Sequence, residues 1–395
     1  MTRSVIVLNS GSSSVKFAAY AAEPSLSDKP FLRGLASGIG TSRTALRILD
    51  ANGDAVVDLG GPDAGFVDHR GAVSSVMTAI LGHGAVPVAF GHRVVHGGGV
   101  FQGPVLIDEK SLSLMESFTP LAPLHQPHNL SPVKALMRDF PEVPQTACFD
   151  TAFHSTIHEA EASFAIPREL FERGMRKYGF HGLSYEHVAS RLPILLPGKR
   201  RVVAAHLGNG SSMCAILDGK SCASTMGFTA LEGLPMGTRC GSVDPGLILH
   251  LMQSEGMGVQ EVSDLLYKKS GLLGVSGISS DMRDILASDT PGARLAFDIY
   301  CRRIVREACS LAGAMGGVDA IVFTGGIGEN SREVRDSVCR QLSWLGAGID
   351  TRSSNRGESG ERLVSDPLAR LPVAVIPADE EGVIARVSSR NTGAA

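Results

Sequence analysis

The chain has 395 residues, enough for two to three domains that each bury a core. Its 37 Lys and Arg against 40 Asp and Glu leave a formal net charge of -3, which argues against a nucleic-acid or anionic-membrane binder. Seven cysteines, an odd number with no C-x-x-C pair, suggest neither a disulfide framework nor a zinc site, and no apolar run approaches the ~18 residues of a membrane span. A soluble, cytoplasmic α/β protein is expected, with 46 glycines clustered in loops rather than in low-complexity tracts.

Residues 5–8 read as a buried strand, Asn9-Ser10-Gly11-Ser12-Ser13-Ser14 as a turn, and 15–20 as the returning strand of a hairpin. The pattern recurs at 202–205, His206-Leu207-Gly208-Asn209-Gly210-Ser211-Ser212 and 213–217. A turn of Gly and Ser can point several backbone N–H groups and hydroxyls at one anion. Its double occurrence suggests a duplicated domain whose two loops face each other across a cleft suited to a phosphate chain. Residues 22–72 are polar, punctuated by Gly, Pro and Asp, and read as peripheral strands and loops with no assigned role.

The next strand spans 86–95 and carries Arg93 within Gly91-His92-Arg93-Val94-Val95-His96-Gly97-Gly98. His92 and His96 are four apart on a strand, where that spacing does not bring imidazoles together, so no His-based metal site is expected. Ser131-Pro132 and Asp244-Pro245 each read as an N-cap followed by proline at the first helical position. The clearest helix, 293–315, spaces Phe297, Tyr300, Ile304, Ala308, Leu311 and Met315 on one face and packs a core. After a strand at 320–323, Thr324-Gly325-Gly326-Ile327-Gly328-Glu329-Asn330 opens a helix expected to start at Asn330, with Glu333 completing a capping box. A strand at 373–376 and a last helix over 379–390, returning to the first domain, close the chain. The domains are therefore expected at 1–149, rejoined by 382–395, and 150–381.

A phosphate-transfer cleft needs loop donors for phosphates, a carboxylate for Mg²⁺, and cations for the group in flight. Any one Gly-rich turn is as readily a structural corner as a phosphate site; three in one chain carry more weight. Arg93 and Arg239, each flanked by Gly and apolar residues, call for an anionic partner, either a ligand or a structural carboxylate. His181, in Tyr178-Gly179-Phe180-His181-Gly182, is an oriented imidazole or a satisfied core histidine. Asp150 holds metal or caps a helix, and Glu380 holds metal or is a solvated helix-start acid.

Together these motifs resemble the acetate kinase (acetokinase) family of the actin, sugar kinase and Hsp70 superfamily, over nearly the whole chain. The resemblance rests on N-x-G-S-S-S-x-K at 9–16, G-H-R-V-V-H-G-G at 91–98, A-P-L-H at 122–125, F-D-T-A-F-H at 149–154, Y-G-F-H-G at 178–182, H-L-G-N-G at 206–210, M-G-T-R-C-G at 236–241, S-S-D-M-R-D at 279–284 and F-T-G-G-I-G-E-N-S at 323–331. It implies two duplicated ribonuclease H-like domains and reversible in-line transfer of the ATP γ-phosphoryl group to acetate in a homodimer, with Mg²⁺, or Mn²⁺ in its place. By matching position, Asn9 and Glu380 would serve the metal, and Lys16 would lie near the transferred phosphate. Asp150 would be the catalytic carboxylate, Arg93 would bind the acetate carboxylate, and His181 and Arg239 would stabilise the transition state. His206, Leu207, Gly208, Asn209 and Gly210, with Asp281, Met282 and Arg283 and with Gly326, Ile327, Gly328, Glu329 and Asn330, would hold ATP.

Several positions depart from the family pattern. The acyl-methyl pocket resembles Val95, Leu124, Phe180 and a proline that is Ala230 here, which leaves room for about one methylene and suggests that propionate is accepted unusually well. Ser242 stands for Asp, Leu183 and Tyr185 for Thr and His, and Gln126 for Asn. The rival readings are a propionate- or butyrate-type kinase, a pyrophosphate-using relative, and a nucleotide sensor that does not transfer phosphate.

Overall fold

The computed structural model describes residues 1–350 and 360–394. Its contacts divide the chain into two compact units, Met1–Phe153 with the segment from Asp379, and His154–Ala378. The division falls a few residues from the expected boundaries, and it puts both Asp150 and Glu380 in the first unit. Residue 395, the end of the expected rejoining segment, lies outside the described residues.

The first unit is built on an eight-stranded sheet of β1 (Thr2–Ser10), β2 (Ser14–Ala21), β3 (Leu32–Ser37), β4 (Ala45–Asp50), β5 (Ala55–Gly60), β6 (Ala85–Val94), β7 (Val105–Leu106) and β8 (Gln145–Phe149), ordered β5-β4-β3-β2-β1-β6-β8-β7. The run Val5-Ile6-Val7-Leu8 is apolar on both faces because both are covered. Ile6, Leu8, Phe17 and Phe90 pack in one core with residues of the helices His69–Gly82 and Gln126–Asp139. Gly91, next to Phe90 and therefore on the opposite face, lies under the C-terminal helix Glu380–Thr392.

The second unit carries a six-stranded sheet of β9 (Arg201–Leu207), β10 (Ser211–Leu217), β11 (Lys220–Ser224), β12 (Ala320–Thr324), β13 (Arg362–Leu363) and β14 (Val373–Val375), ordered β11-β10-β9-β12-β14-β13. In both units an antiparallel three-stranded meander is followed by two parallel strands added on the first strand's free side: β3-β2-β1-β6-β8 matches β11-β10-β9-β12-β14. The duplication suggested by two Gly-Ser-Ser turns is thus a duplication of sheet topology. The helix Pro291–Ala314, capped by Thr290, buries Tyr300, Ile304, Ala308 and Leu311 against this sheet, as its apolar spacing predicts. Asp244 caps its helix through Gly246 N.

Two local expectations are corrected and a third is filled in. The helix expected at Ser131-Pro132 begins at Gln126, so the first-turn proline is Pro127 and Pro132 lies inside the helix. The turn expected over 324–330 is a short helix, Gly325–Asn330, and the helix expected at Asn330 begins at Arg332: Ser331 supplies the capping oxygen to Val334 N, and Asn330 Nδ2 instead donates to Gly326 O. Residues 22–72 hold three regular strands, β3 to β5. The alternation is hard to read because β5 is almost wholly exposed and because β3 needs glycine at position 34, where a Cβ would meet Arg47 O at 2.3 Å and the Phe17 ring at 2.6 Å.

At the start of β9 and β12, Asp319 accepts from Arg201 Nη2 at 2.7 Å and from the backbone amides of Arg200 and Arg201. The Arg201 side chain and these amides hold its carboxyl down at about 2. Because the folded value lies below the ordinary one, the pair's contribution is complete above about pH 4 and is lost only as the pH falls through about 2.

The C-terminal helix docks where Gly91 leaves room, since a Cβ there would lie 2.5 Å from Ile384 Cγ2 and Ser388 Oγ. Gly91→Val is expected to lower stability by about 1–3 kcal/mol through overpacking. Urea unfolding checks this, and an unchanged midpoint would contradict the packing described.

Candidate active site

In the first unit, strand register brings the candidate residues together. β6 runs parallel to β8 with Arg93 opposite Cys148, so Asp150, two residues beyond, emerges on the same face. β1 runs parallel to β6 with Leu8 opposite His92, which places Asn9 beside Arg93. The guanidinium donates from Nε and Nη2 to the two oxygens of Asp150 at 2.8 and 2.6 Å, and from Nη1 to Asn9 Oδ1 at 3.3 Å. Glu380 Oε2, from the first turn of the C-terminal helix, lies 3.6 Å from Nη1. Burial opposes the charge on Arg93, but Asp150 and Glu380 overcome it and hold the cation above its ordinary value. Asp150 is therefore an ion-pair partner rather than a helix cap, and Glu380, 13% exposed, is not a solvated acid.

Lys16 is tied to Glu381 at 2.7 Å while remaining 60% exposed. Two polar side chains from the helix after residue 125 fix the end of β6. Asn129 Oδ1 accepts from Val95 N, and its amide donates to Ser10 O. Gln126, one of the departures from the family pattern, accepts from His96 N and donates to the carbonyls of His96 and Met115. Val95 is buried, whereas Leu124 is half exposed. His69, not singled out from the sequence, bonds Gly11 O through Nε2 at 2.7 Å and stacks on His128.

In the second unit, the parallel strands β9 and β12 end side by side. Gly325, with φ +77°, turns the chain where a Cβ would lie 2.8 Å from Leu207 O, and only glycine fits both demands. Beyond these ends lies a pocket of about 680 Å³. Gly208, Asn209, Asp281, Met282, Arg283, Gly326, Ile327 and Asn330, all expected there, line it, together with Ser280 and Leu286, which were not. Asn209 is held over Gly237, whose missing Cβ would fall 2.1 Å from its Oδ1.

Five expected pocket residues are not in its lining: His206 and Gly210 lie against the His181 ring, and Leu207, Gly328 and Glu329 face elsewhere. Leu207 and Gly328 are buried behind the loop, and Glu329 accepts from Ala378 N through Oε1 at 3.0 Å. The carbonyls of Gly328 and Glu329 are held by the buried Arg335 Nη1, at 2.8 Å each. Arg335 was missed because a lone arginine in a helix reads as a solvated residue; nothing local in the sequence marks it as a clamp.

His181 has the left-handed backbone φ of 57° and stands at the head of the helix Gly182–Leu195. Its ring stacks on His206 with centroids 4.3 Å apart, and its Nδ1 lies 2.8 Å from Ser212 Oγ. Its Nε2 faces the β9–β10 loop, 3.4 Å from where a Cβ on Gly210 would be. Phe180, just before it, is buried and fixed through its carbonyl by His154 Nε2.

Arg239 contrasts with Arg93. Its Nη1 donates to Ala230 O at 3.0 Å, and among the described residues no carboxylate pairs with it. Burial pulls its guanidinium below the ordinary value. Ser242, standing where an Asp is usual, joins its hydroxyl and amide to Gly233 and so shapes the loop that presents Arg239. A part-buried cation without a counter-charge is a receptor for an anion.

A family model described as the Acetokinase family matches residues 4–386. The chain is 48% identical over 393 residues to an acetate kinase of Rhodopseudomonas palustris, covering 98% of each chain. It is 47% identical over 387 residues to one of Nitrobacter hamburgensis, covering 97% of this chain and 95% of that one. Among solved structures it is similar to Porphyromonas gingivalis acetate kinase (TM-score 0.88, 37% identity) and to a propionate kinase from Francisella tularensis (TM-score 0.90, 36% identity). Each of these covers 98% of this chain and 99% of the other.

Proposed function

From the premise that the chain belongs to the acetokinase family, we propose that it catalyses reversible phosphoryl transfer between ATP and acetate, giving acetyl phosphate and ADP. The observation that carries the reading is the complementary equipment of the two units. The first offers a carboxylate-braced arginine, and the second a nucleoside-sized pocket, an oriented histidine and an arginine with no carboxylate partner among the described residues.

The difficulty in this reaction is electrostatic. A carboxylate is already a nucleophile and needs little base catalysis, but it must approach the anionic triphosphate. Arg93 has five N–H groups; Asp150 engages two and Asn9 a third, which leaves two for an incoming carboxylate. Asp150 orients this fork and, as the catalytic carboxylate, aligns the acid. His181 and Arg239 stabilise charge on the transferred phosphoryl group, and Lys16 lies near it. The β9–β10 loop, the segment Asp281 to Arg283 and residues Gly326 to Asn330 of the short helix Gly325–Asn330 hold ATP, with Glu329 and Gly328 acting by shaping that helix. Val95, Leu124 and Phe180 are assigned to the acyl methyl.

Asn9 and Glu380 present hard oxygen donors at one place, a set that suits Mg²⁺, or Mn²⁺ in its place, shared with phosphate oxygens. The ion, when bound, neutralises charge on the phosphates. No described helix is long and apolar enough to cross a membrane, all seven cysteines are free, and we place the reaction in the cytoplasm.

We also propose a homodimer. The helix Pro245–Gln253 buries none of its residues within its own chain, with Leu247 and Leu249 about half exposed. Such an apolar face favours cover by a second copy. Analytical ultracentrifugation is expected to show a dimer that Leu249→Glu weakens; a monomer at micromolar concentration overturns this.

Acyl phosphate trapped as the hydroxamate tests the activity. Acetate turnover is expected, with a kcat/KM for propionate within about tenfold of it, because Ala230 frees about one methylene, worth ~0.8 kcal/mol. A hundredfold deficit would show that neighbours fill the space, and no product with either acid would refute the kinase.

Arg239→Met is expected to cut turnover by roughly a thousandfold, on the scale of other arginine contacts in phosphoryl transfer. It should do so without loss of thermal stability. A cation whose folded value lies below its ordinary one is protonated in both states at neutral pH and costs stability there, so its removal relieves that cost. Near-normal turnover would take Arg239 out of the mechanism.

A further inference from the structure

We infer that Tyr185 is a positioning residue that, through the hydroxyl of Ser212, holds the His181 ring with its proton on Nε2. The inference rests on the role proposed for His181.

Tyr185 lies one helical turn after His181 and is tied to it twice. Its backbone amide donates to His181 O at 3.1 Å. Its phenol oxygen lies 2.5 Å from Ser212 Oγ, which in turn lies 2.8 Å from His181 Nδ1. Tyr185 and Ser212 are both fully buried, so the chain of hydroxyls is closed to water.

The direction of this chain follows from counting protons. Burial pushes the phenol well above its ordinary value, so it keeps its proton. The phenol is fully buried and its side-chain hydrogen-bond partner is Ser212 Oγ, so its single O–H is satisfied only when directed there. Ser212, having accepted from Tyr185, has one proton to give, and its other partner is His181 Nδ1. Nδ1 accepts, and the neutral ring carries its proton on Nε2.

Nε2 is the atom that faces the β9–β10 loop at Gly210. Phosphoryl oxygens only accept hydrogen bonds. An Nε2–H donates to them, whereas the other tautomer would present a lone pair. Stacking on His206, itself bonded by Ser184 Oγ at Nδ1, keeps the ring plane in place while the relay sets the proton. A phenylalanine at 185 would preserve the packing but leave the Ser212 hydroxyl without its donor. Ser212 could then accept from Nδ1–H, so the proton would be free to move off Nε2.

The test uses the full chain with ¹⁵N-labelled histidine, recording long-range ¹H–¹⁵N correlations for wild type, Tyr185→Phe and Ser212→Ala, with His181→Gln to assign the signal. The wild type is expected to show His181 as the Nε2–H tautomer, and both relay variants a mixture. In both variants kcat should fall about ten- to a hundredfold with little change in KM for ATP or acetate. The acidic limb of the kcat–pH profile should move to higher pH, because a donor at Nδ1 no longer favours the neutral ring. An Nδ1–H tautomer in the wild type overturns the relay even if neither variant folds. So does a Tyr185→Phe protein with wild-type tautomer and kcat. Absence of kinase activity with an Nε2–H signal that Tyr185→Phe scrambles refutes the proposed function while supporting the relay.

Discussion

Four segments of the first unit meet at one guanidinium. Arg93 comes from β6, its bidentate partner Asp150 follows β8, Asn9 ends β1, and Glu380 begins the C-terminal helix. An arginine fork in a part-buried setting imposes distance and plane on each partner, which a lysine point charge would not. Removing either member of the pair would leave a buried charge uncompensated, which is costly. The sheet order and the docking of the last helix over Gly91 both serve to deliver acceptors to this cation.

The second unit repeats the topology but not the electrostatics. Its arginine, Arg239, is bonded to a carbonyl instead of a carboxylate. One copy of the duplicated sheet thus has a cation already braced by acid groups, and the other has a cation whose charge is unspent. That difference shows how one sheet topology, used twice, carries unlike electrostatics.

Much of this was legible in the sequence wherever a constraint was local. Apolar runs marked β1, β9 and β12, and spacing marked the helix Pro291–Ala314. Gly and Asn marked the turns that line the pocket. What escaped was set by tertiary contact. β5 leaves the apolar Ala55, Val57 and Leu59 of one face largely unburied, Pro132 is accepted inside a helix that already holds Pro127 at its start, and Ser331 takes the cap expected of Asn330 by a shift of one residue. At the site, Arg93 and Asp150 are 57 residues apart and the sequence left their pairing open. The clamp of Arg335 on the Gly328 and Glu329 carbonyls, and the hydroxyl relay behind His181, depend on burial that no short motif encodes.

The bond between Asp319 and the start of β9 has one more consequence. It secures the ends of β9 and β12 that lie away from the pocket, and in a parallel pair whatever aligns one end keeps the loops at the other end in step. The carboxyl of Asp319 stays ionised down to about pH 2, whereas an unperturbed carboxylic acid gains its proton near pH 4. On acidification, a free carboxylate substrate would therefore be neutralised while this fastening of the segments that line the pocket was still intact: the nucleophile would fail before the scaffold.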